Sequence, residues 1–448
     1  MSGDLDKGRP ENVIYTIGDN MKIWRRVCLN YLQVLCVVAL VLVWYGERSY
    51  PRAAISRCHW SKDIGGSSTK LALIADPQLV DDNTYPGRNK LLLGVTEYVV
   101  DYYMRRNWYY LNDVLKPEYN FFVGDLFDGG REWDDDTWMM EYARWNRTFR
   151  AVGNAINVQN LPGNHDIGFG DTIVKSALMR FKNYFGPSSL VVDVGEYSVV
   201  LVDTISMMNS EDPTVYQVPN NFLDDIGPPQ QARILLTHVP LYRDPRQSCG
   251  PDRESSDPIS YTKGYQYVTQ IGPNTTNRVL QSVQPVMVFS GDDHDACHVV
   301  HKYESLDGHQ KKVDEFTVKS FSMAMGIQKP AIQLVTLSNS ASNKQLDTSV
   351  CLMPSPFFAF IVYGYFALLS LVILALYNFY PHRLPDFMKP FHYGIVSYQE
   401  RRLPVYESLG HTKQLRPRGS GKRVLKEAGV VAAVFISFYL FLGWSIYL

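Results

Sequence analysis

Apolar and polar positions divide this chain into two kinds of segment. Residues 27–45, 357–377 and 428–447 hold no Asp, Glu, Lys or Arg over 19 to 21 positions, close to the ~20 that span a bilayer as a helix. Between the first two, apolar runs of four to seven residues end at Gly, Pro, Asn or Asp, the pattern of strands and turns. Strands are expected at 70–75, 119–123, 158–161, 190–194, 197–203, 232–237, 285–290, 298–303, 316–321 and 331–337, with helices at 90–115 and 132–152. Strand and helix alternate in the first half, whereas short strands dominate the second. The expected fold class is therefore α/β: two packed mixed sheets flanked by helices, plus three transmembrane helices.

This patterning gives six segments: a tail (1–26), a first span (27–45), a large polar domain (46–356), a second span (357–377), a connecting loop (378–427) and a third span (428–448). The first span follows Lys22, Arg25 and Arg26, as a signal peptide would, but its length and its Trp-Tyr-Gly-Glu-Arg flank favour an uncleaved anchor. Net charge is only −1, which conceals an asymmetry: residues 378–427 carry ten Lys or Arg against four acids. The positive-inside rule puts that loop in the cytosol and the domain in a lumen or outside the cell. The domain itself is slightly acidic, so no nucleic-acid partner is expected, whereas membrane lipid is.

Two further signals bear on the same topology. Asn146 and Asn274 each begin an Asn-X-Thr triplet within the domain, a glycosylation acceptor in a secretory compartment. Cys28 and Cys36 fall in the first span, leaving Cys58, Cys249, Cys297 and Cys351 in the domain. Four cysteines allow three disulfide connectivities, or buried free thiols. The expected pairs are Cys58 with Cys351, which bracket the domain, and Cys249 with Cys297.

The candidate chemistry sits where the apolar runs stop. LALIADPQ, NFFVGDLFD, NLPGNHD, RILLTHVP and VFSGDDHD place Asp76, Gln78, Asp125, Asn164, His165, His238, Asp292 and His294 in the first polar positions after strand-like segments. Two divalent cations need a shared anionic oxygen and neutral ligands that limit the total charge. Asp125 is the expected bridge. Asp76, Gln78 and His294 would complete one ion, and Asn164, His238 and Asp292 the other. His165, next to a ligand, would face the space above the metals as a proton donor, with Asp166 fixing its tautomer. Asp128 would brace a ligand imidazole. Tyr242, Arg243 and Arg246, just after His238, are candidates for substrate contact.

These five motifs resemble the calcineurin-like metallophosphoesterase superfamily, whose pattern is DxH, GDxxD, GNH(D/E), a lone His and GHxH. Two positions depart from it: Gln78 stands for the His of DxH, and Asp292 for the first His of GHxH. The ligand set thereby shifts toward oxygen, which suits Mn²⁺ better than Zn²⁺. With ADPQ, GDLFDGG, the segment His238 to Pro251, SGDDHDAC and flanking spans, the chain looks like the eukaryotic phosphoesterases that remodel GPI anchors. That resemblance implies a Mn-dependent phosphodiesterase of the endoplasmic reticulum membrane, cycling to the Golgi. It would remove ethanolamine phosphate from a mannose of the GPI glycan, with a hydroxide held by the metals attacking phosphorus. GPI-anchored proteins or GPI lipid would be the substrate, and export receptors possible partners. The competing readings are a dimetal enzyme for another lipid head group or a nucleotide, and a cargo adaptor that has lost catalysis.

Overall fold

The structure, a computed structural model, describes residues 31–61, 67–306, 308–338, 345–380 and 421–447. Its strands are β1 (Ser68–Ile74), β2 (Tyr119–Val123), β3 (Ile156–Leu161), β4 (Leu190–Val194), β5 (Tyr197–Leu201), β6 (Ala232–Leu236), β7 (Lys263–Gly264), β8 (Tyr267–Val268), β9 (Met287–Ser290), β10 (Cys297–Glu304), β11 (Gln310–Thr317), β12 (Ala331–Ser338) and β13 (Leu346–Leu352). The helices used below are α1 (Tyr31–Trp44), α2 (Tyr50–Ile55), α3 (Lys90–Tyr110), α4 (Asp135–Thr148), α5 (Asn164–Ile167), α6 (Lys175–Phe185), α7 (Pro213–Asp225), α8 (Pro273–Val283), α9 (Pro356–Phe379) and α10 (Gly421–Trp444).

Two compact units result, one containing the chain up to Tyr45 with Ile361–Leu442, the other Gly46–Phe360 with Gly443–Leu448. The larger unit is a sandwich. One sheet runs β13-β12-β1-β2-β3 and the other β10-β11-β9-β6-β5-β4. Each has a parallel centre (β1-β2-β3 and β5-β6-β9-β11) with antiparallel strands outside it. Strand side chains alternate between faces, so Leu71, Leu73, Phe121, Val199, Leu236 and Phe289 fill the layer between the sheets. Ala72, Ile74 and Phe122 face outward and pack with Met104 and Trp108 of α3 and Trp145 of α4. Central strands are buried on both faces, which is why they read as unbroken apolar runs.

Two strand expectations need correction. The run 316–321 is not one strand: β11 ends at Thr317, and the following residues cross beneath the strand ends, where the Ser320 amide donates to the His294 carbonyl and the Phe321 amide to the Ala75 carbonyl. The charged pattern Gln310 to Glu315 hid most of β11, because alternate residues of this strand face solvent. An edge strand, β13, was also missed for its polar outer residues.

The smaller unit holds apolar helical segments joined by Leu35, Ala39, Phe366, Leu374 and Val431. A charged side chain among such helices must be fully partnered. Glu427 accepts hydrogen bonds from Tyr31 Oη (2.7 Å), Asn378 Nδ2 (2.8 Å) and Arg423 Nε (3.0 Å). Among the described residues, three helices are long and apolar enough to cross a membrane: Tyr31–Ile55, Pro356–Phe379 and Gly421–Tyr447. The first runs ten residues past the expected 45 through a π-helical turn (Tyr45–Ser49) into α2. The third starts earlier than expected, so Lys422, Arg423 and Lys426 lie on α10, not in a loop. The tail 1–26, Cys28, the first residues of the expected first span and the basic residues from Arg383 to Arg418 lie outside the described residues.

Both disulfides form with the expected pairing, Cys58–Cys351 and Cys249–Cys297. Beside the second lies a buried ionic cluster. Glu315 accepts from Ser290 Oγ (2.7 Å) and the Leu241 amide (3.1 Å), and pairs with Arg243 (2.7 Å) and His301 (2.6 Å). Burial opposes the charge on Glu315, but Arg243 and His301 outweigh it and lower its pKa from 4.5 to about 2. A depressed carboxylate pKa contributes stability above the unfolded value that is lost as pH falls through the folded one. Unfolding monitored against pH should therefore show a stability loss between about 4.5 and about 2 that Glu315→Gln abolishes. At neutral pH the same substitution should cost about 3–5 kcal/mol, because it leaves Arg243 buried without a counter-charge.

Candidate active site

The ligand candidates all leave the ends of parallel strands: Asp76 and Gln78 after β1, Asp125 after β2, Asn164 after β3, His238 after β6, and Asp292 and His294 after β9. Carboxyl ends of parallel strands open a crevice lined by the loops that follow them, the usual location of sites in such sheets. Each loop must turn sharply there. Asp76 (φ 47°), Gln78 (32°), Asp125 (49°), Asp292 (67°) and His294 (68°) all take left-handed backbone, as do only three other non-glycine residues described. Such conformations cost on the order of 1 kcal/mol or more each and concentrate at functional sites.

Two triads result, Asp76-Asp125-His294 and Asp125-His238-Asp292, each with ligand atoms within 4.8 Å of one another and sharing Asp125. Gln78 Nε2 donates to Asp125 Oδ2 (3.0 Å), the His165 amide donates to Asp125 Oδ1 (2.9 Å), and Asn164 Oδ1 lies 3.3 Å from His238 Nε2. Glycine is required at two points. A Cβ on Gly163 would fall 1.9 Å from Asp125 Oδ1, and one on Gly124 2.3 Å from His238 Nδ1.

The donors fit two cations. His238 Nδ1 lies 2.8 Å from the Val123 carbonyl, so the proton belongs there and the Nε2 lone pair faces Asp125 Oδ1 at 3.4 Å and Asp292 Oδ1 at 3.6 Å. That contact is repulsive unless a positive charge lies between. Burial opposes a proton on His238, yet Asp125, Asp76 and Asp292 together raise its pKa well above the ordinary value. Burial, with the neighbouring carboxylates, also raises the pKa of Asp76 and takes that of Asp292 to about 7. Burial lowers His294 to about 4, leaving it neutral. Asp76 Oδ2 and Gln78 Oε1 are buried without a hydrogen-bond partner. Excess negative charge, a neutral imidazole and orphaned oxygens together match a divalent-cation centre.

His165 projects differently. Its side chain is 30% exposed, and Nδ1 lies 3.1 Å from Asp128 Oδ1 and 2.8 Å from the Asp128 carbonyl. Burial lowers its pKa, but Asp125 and Asp128 outweigh this and raise it to about 9. The Asp125 and Asp128 carboxylates thus favour the imidazolium form, with Asp128 as the ring's anchor. Asp166 was expected in that role and does not fill it. Its carboxylate accepts from the amides of Gly163 (2.8 Å), Leu126 (3.1 Å) and Phe127 (3.0 Å), tying the Asp125 loop to the Asn164 loop.

Arg243 is not a substrate contact: its guanidinium is buried and pairs with Glu315. Arg246 is exposed and folds back on Asp244 (3.1 Å). Tyr242 is 39% exposed, with its amide donating to Thr276 Oγ1 (2.9 Å). Asn274 is exposed at the start of α8. Asn146 is exposed on α4, but its Nδ2 donates to the Tyr142 carbonyl (3.0 Å) and Thr148 of its triplet is buried.

Four residues that position these groups were not legible in the sequence. Thr84 Oγ1 donates to Asp128 Oδ2 (2.5 Å) and accepts from the Asp81 amide (3.0 Å). Asp81 in turn receives Trp133 Nε1 (3.0 Å). Asn164 Nδ2 donates to the carbonyl of Gln266, itself left-handed at φ 57°. The run Asp81-Asp82-Asn83-Thr84 reads as an ordinary turn, and only the fold carries it to Asp128. Replacing Thr84 by Val should lower kcat roughly 10–100-fold, as expected of a residue that orients a catalytic group through another. Bound metal measured by mass spectrometry should stay constant, and Thr84→Ser should restore the rate.

The sandwich and the paired triads define a metallophosphoesterase. The chain belongs to the calcineurin-like phosphoesterase family, whose profile matches residues 69–296; it is accordingly a phosphoester hydrolase of a family with a dimetal centre. It is similar to cell division control protein 1 of Saccharomyces cerevisiae, 43% identical over 374 residues that cover 80% of this chain and 76% of that protein. It is also similar to the metallophosphoesterase 1 homolog of Caenorhabditis elegans (27% identity, 84% of this chain and 99% of that one) and to mouse metallophosphoesterase 1 (26%, 60% and 72%).

Proposed function

We propose that this chain is a membrane-anchored phosphodiesterase that removes ethanolamine phosphate from a mannose of the GPI-anchor glycan, on the lumenal side of the endoplasmic reticulum membrane. The observation that carries the reading is a pair of candidate metal-ligand triads sharing Asp125, with Asp292 and the neighbouring Gln78 in place of two imidazoles, on a domain flanked in sequence by helices long and apolar enough to cross a membrane. By that combination the chain resembles the GPI-remodelling group. The oxygen-rich set favours Mn²⁺. The basic character of 378–427 supports a cytosolic loop and hence a lumenal domain. Export receptors would be the natural partners of an enzyme whose product leaves for the Golgi.

Asp76, Gln78, Asp125 and His294 would hold one cation and Asp125, Asn164, His238 and Asp292 the other, and when bound these would supply Lewis-acid polarisation of phosphoryl oxygens and activation of water. The chain's own contribution is the proton. Water adds oxygen to phosphorus and releases a proton to solvent as the P–O bond to mannose breaks; the leaving sugar oxygen takes the proton of the His165 imidazolium, and the ring regains one from solvent, giving the sugar hydroxyl and ethanolamine phosphate. Asp128 holds that ring in place, and Thr84 holds Asp128.

The test is deletion of the gene followed by mass spectrometry of the GPI glycans. Retained ethanolamine phosphate on one mannose is expected, with rescue by the wild-type chain. Glycans of unchanged mass would defeat the substrate assignment and leave the head group of another lipid as the next reading.

A further inference from the structure

Helix α3 carries an apolar stripe that protein covers over only half its length. Leu91, Val95, Tyr98, Tyr102 and Tyr109 recur at helical spacing along one face, with Arg106 beside them. On the C-terminal half, that face meets residues that continue directly into the membrane-spanning segments. Arg106 pairs with Glu47, and Arg48 Nη1 donates to the Tyr102 hydroxyl oxygen at 3.4 Å. A Cβ at Gly443 would touch Tyr98 Oη, and the Tyr109 ring meets Tyr447 at 6.0 Å, edge to face. Next to the stripe, Tyr103 Oη donates to the Pro354 carbonyl (2.8 Å), just before the second span, and the Tyr50 ring lies tilted against that of Phe358 at 4.6 Å. All three places where the chain passes into a spanning helix therefore gather along α3.

Toward its N-terminus the same stripe stands open. Leu91 is 79% exposed, Leu92 56% and Val95 52%. Leu91 lies seven residues before Tyr98, about 10 Å along the helix. Cations flank it: Lys90 is exposed, and the Arg88 guanidinium sits 3.6 Å over the Tyr85 ring. Apolar side chains rimmed by Lys, Arg and Tyr are the composition of a helix lying in the head-group layer of a membrane. Continuity with the residues leading into the spans selects the occupant.

We propose that the first two turns of α3 rest in the surface of the same bilayer that the apolar helices cross, with Leu91, Leu92 and Val95 below the phosphates and Lys90 and Arg88 at them. The catalytic unit then has a second, peripheral hold on lipid beyond its covalent tethers. This does not depend on which phosphodiester is cleaved.

The test uses the full chain in phosphatidylcholine nanodiscs, one copy per disc, with Cys28 and Cys36 replaced by Ala and both disulfides kept. Nitroxide labels are placed through Leu92→Cys, Val95→Cys and, as control, Val218→Cys, which is 48% exposed on α7. Electron paramagnetic resonance power saturation compares collision with oxygen, which partitions into lipid, and with a water-soluble nickel chelate. At 92 and 95 the oxygen accessibility should exceed that of the chelate several-fold, with the reverse at 218. Chelate accessibility at 92 and 95 equal to that at 218 would overturn the proposal. Protection from both reagents, indicating a protein cover, would overturn it equally.

Discussion

Asp125→Asn should abolish metal-dependent phosphodiester hydrolysis while leaving the fold intact. Asp125 is the one carboxylate common to both triads, and it is buried. Its Oδ1 receives the His165 amide and its Oδ2 the Gln78 amide. An asparagine of the same shape keeps one acceptor, but it removes a negative charge and turns the other position into a donor aimed at Gln78 Nε2 or at a cation. Outer partners of metal ligands already cost about 10–100-fold when lost, so a shared ligand should cost more than about a hundredfold. Hydrolysis of a soluble nitrophenyl diester, metal content by mass spectrometry and circular dichroism together check this. Full activity with both ions retained would show that Asp125 is not the bridge.

His165→Asn should lower turnover by roughly 10²–10⁴-fold, the range for loss of a positioned general acid. Its effect should depend on the leaving group. A sugar alkoxide needs the proton, whereas a nitrophenolate leaves without one, so the loss should be large for the natural diester and small for the nitrophenyl analogue. Equal losses on both substrates would assign His165 to phosphate binding instead. The imidazolium is the competent form, so turnover should fall at alkaline pH. Asp128 helps hold the ring protonated; Asp128→Asn should therefore move that alkaline limb to lower pH.

The site was legible to different depths. Residues whose role follows from position after a strand, such as Asp76, Asp125 and His238, could be located because a buried parallel strand is an unbroken apolar run with a definite end. The same rule misled for Val318 to Phe321, buried because it crosses beneath the site, and hid most of β11, whose alternate residues face water. Roles set by the direction of backbone amides were invisible. Asp166 adjoins His165 in sequence, yet its carboxylate turns toward three amides, whereas Asp128, 37 residues away, holds the ring. Arg243 follows His238 closely, but Glu315 draws it into the core.

The Cys58–Cys351 bridge, between cysteines 293 positions apart, closes the chain between them into a single covalent ring. Any one proteolytic cut within that ring leaves both fragments joined through the bridge, and each fragment retains a spanning helix. Shedding the intact catalytic unit thus requires cleavage on both sides, before Cys58 and after Cys351. A soluble form found in a culture medium would be the signature of two cuts, and a lone nick would become visible only on a reducing gel.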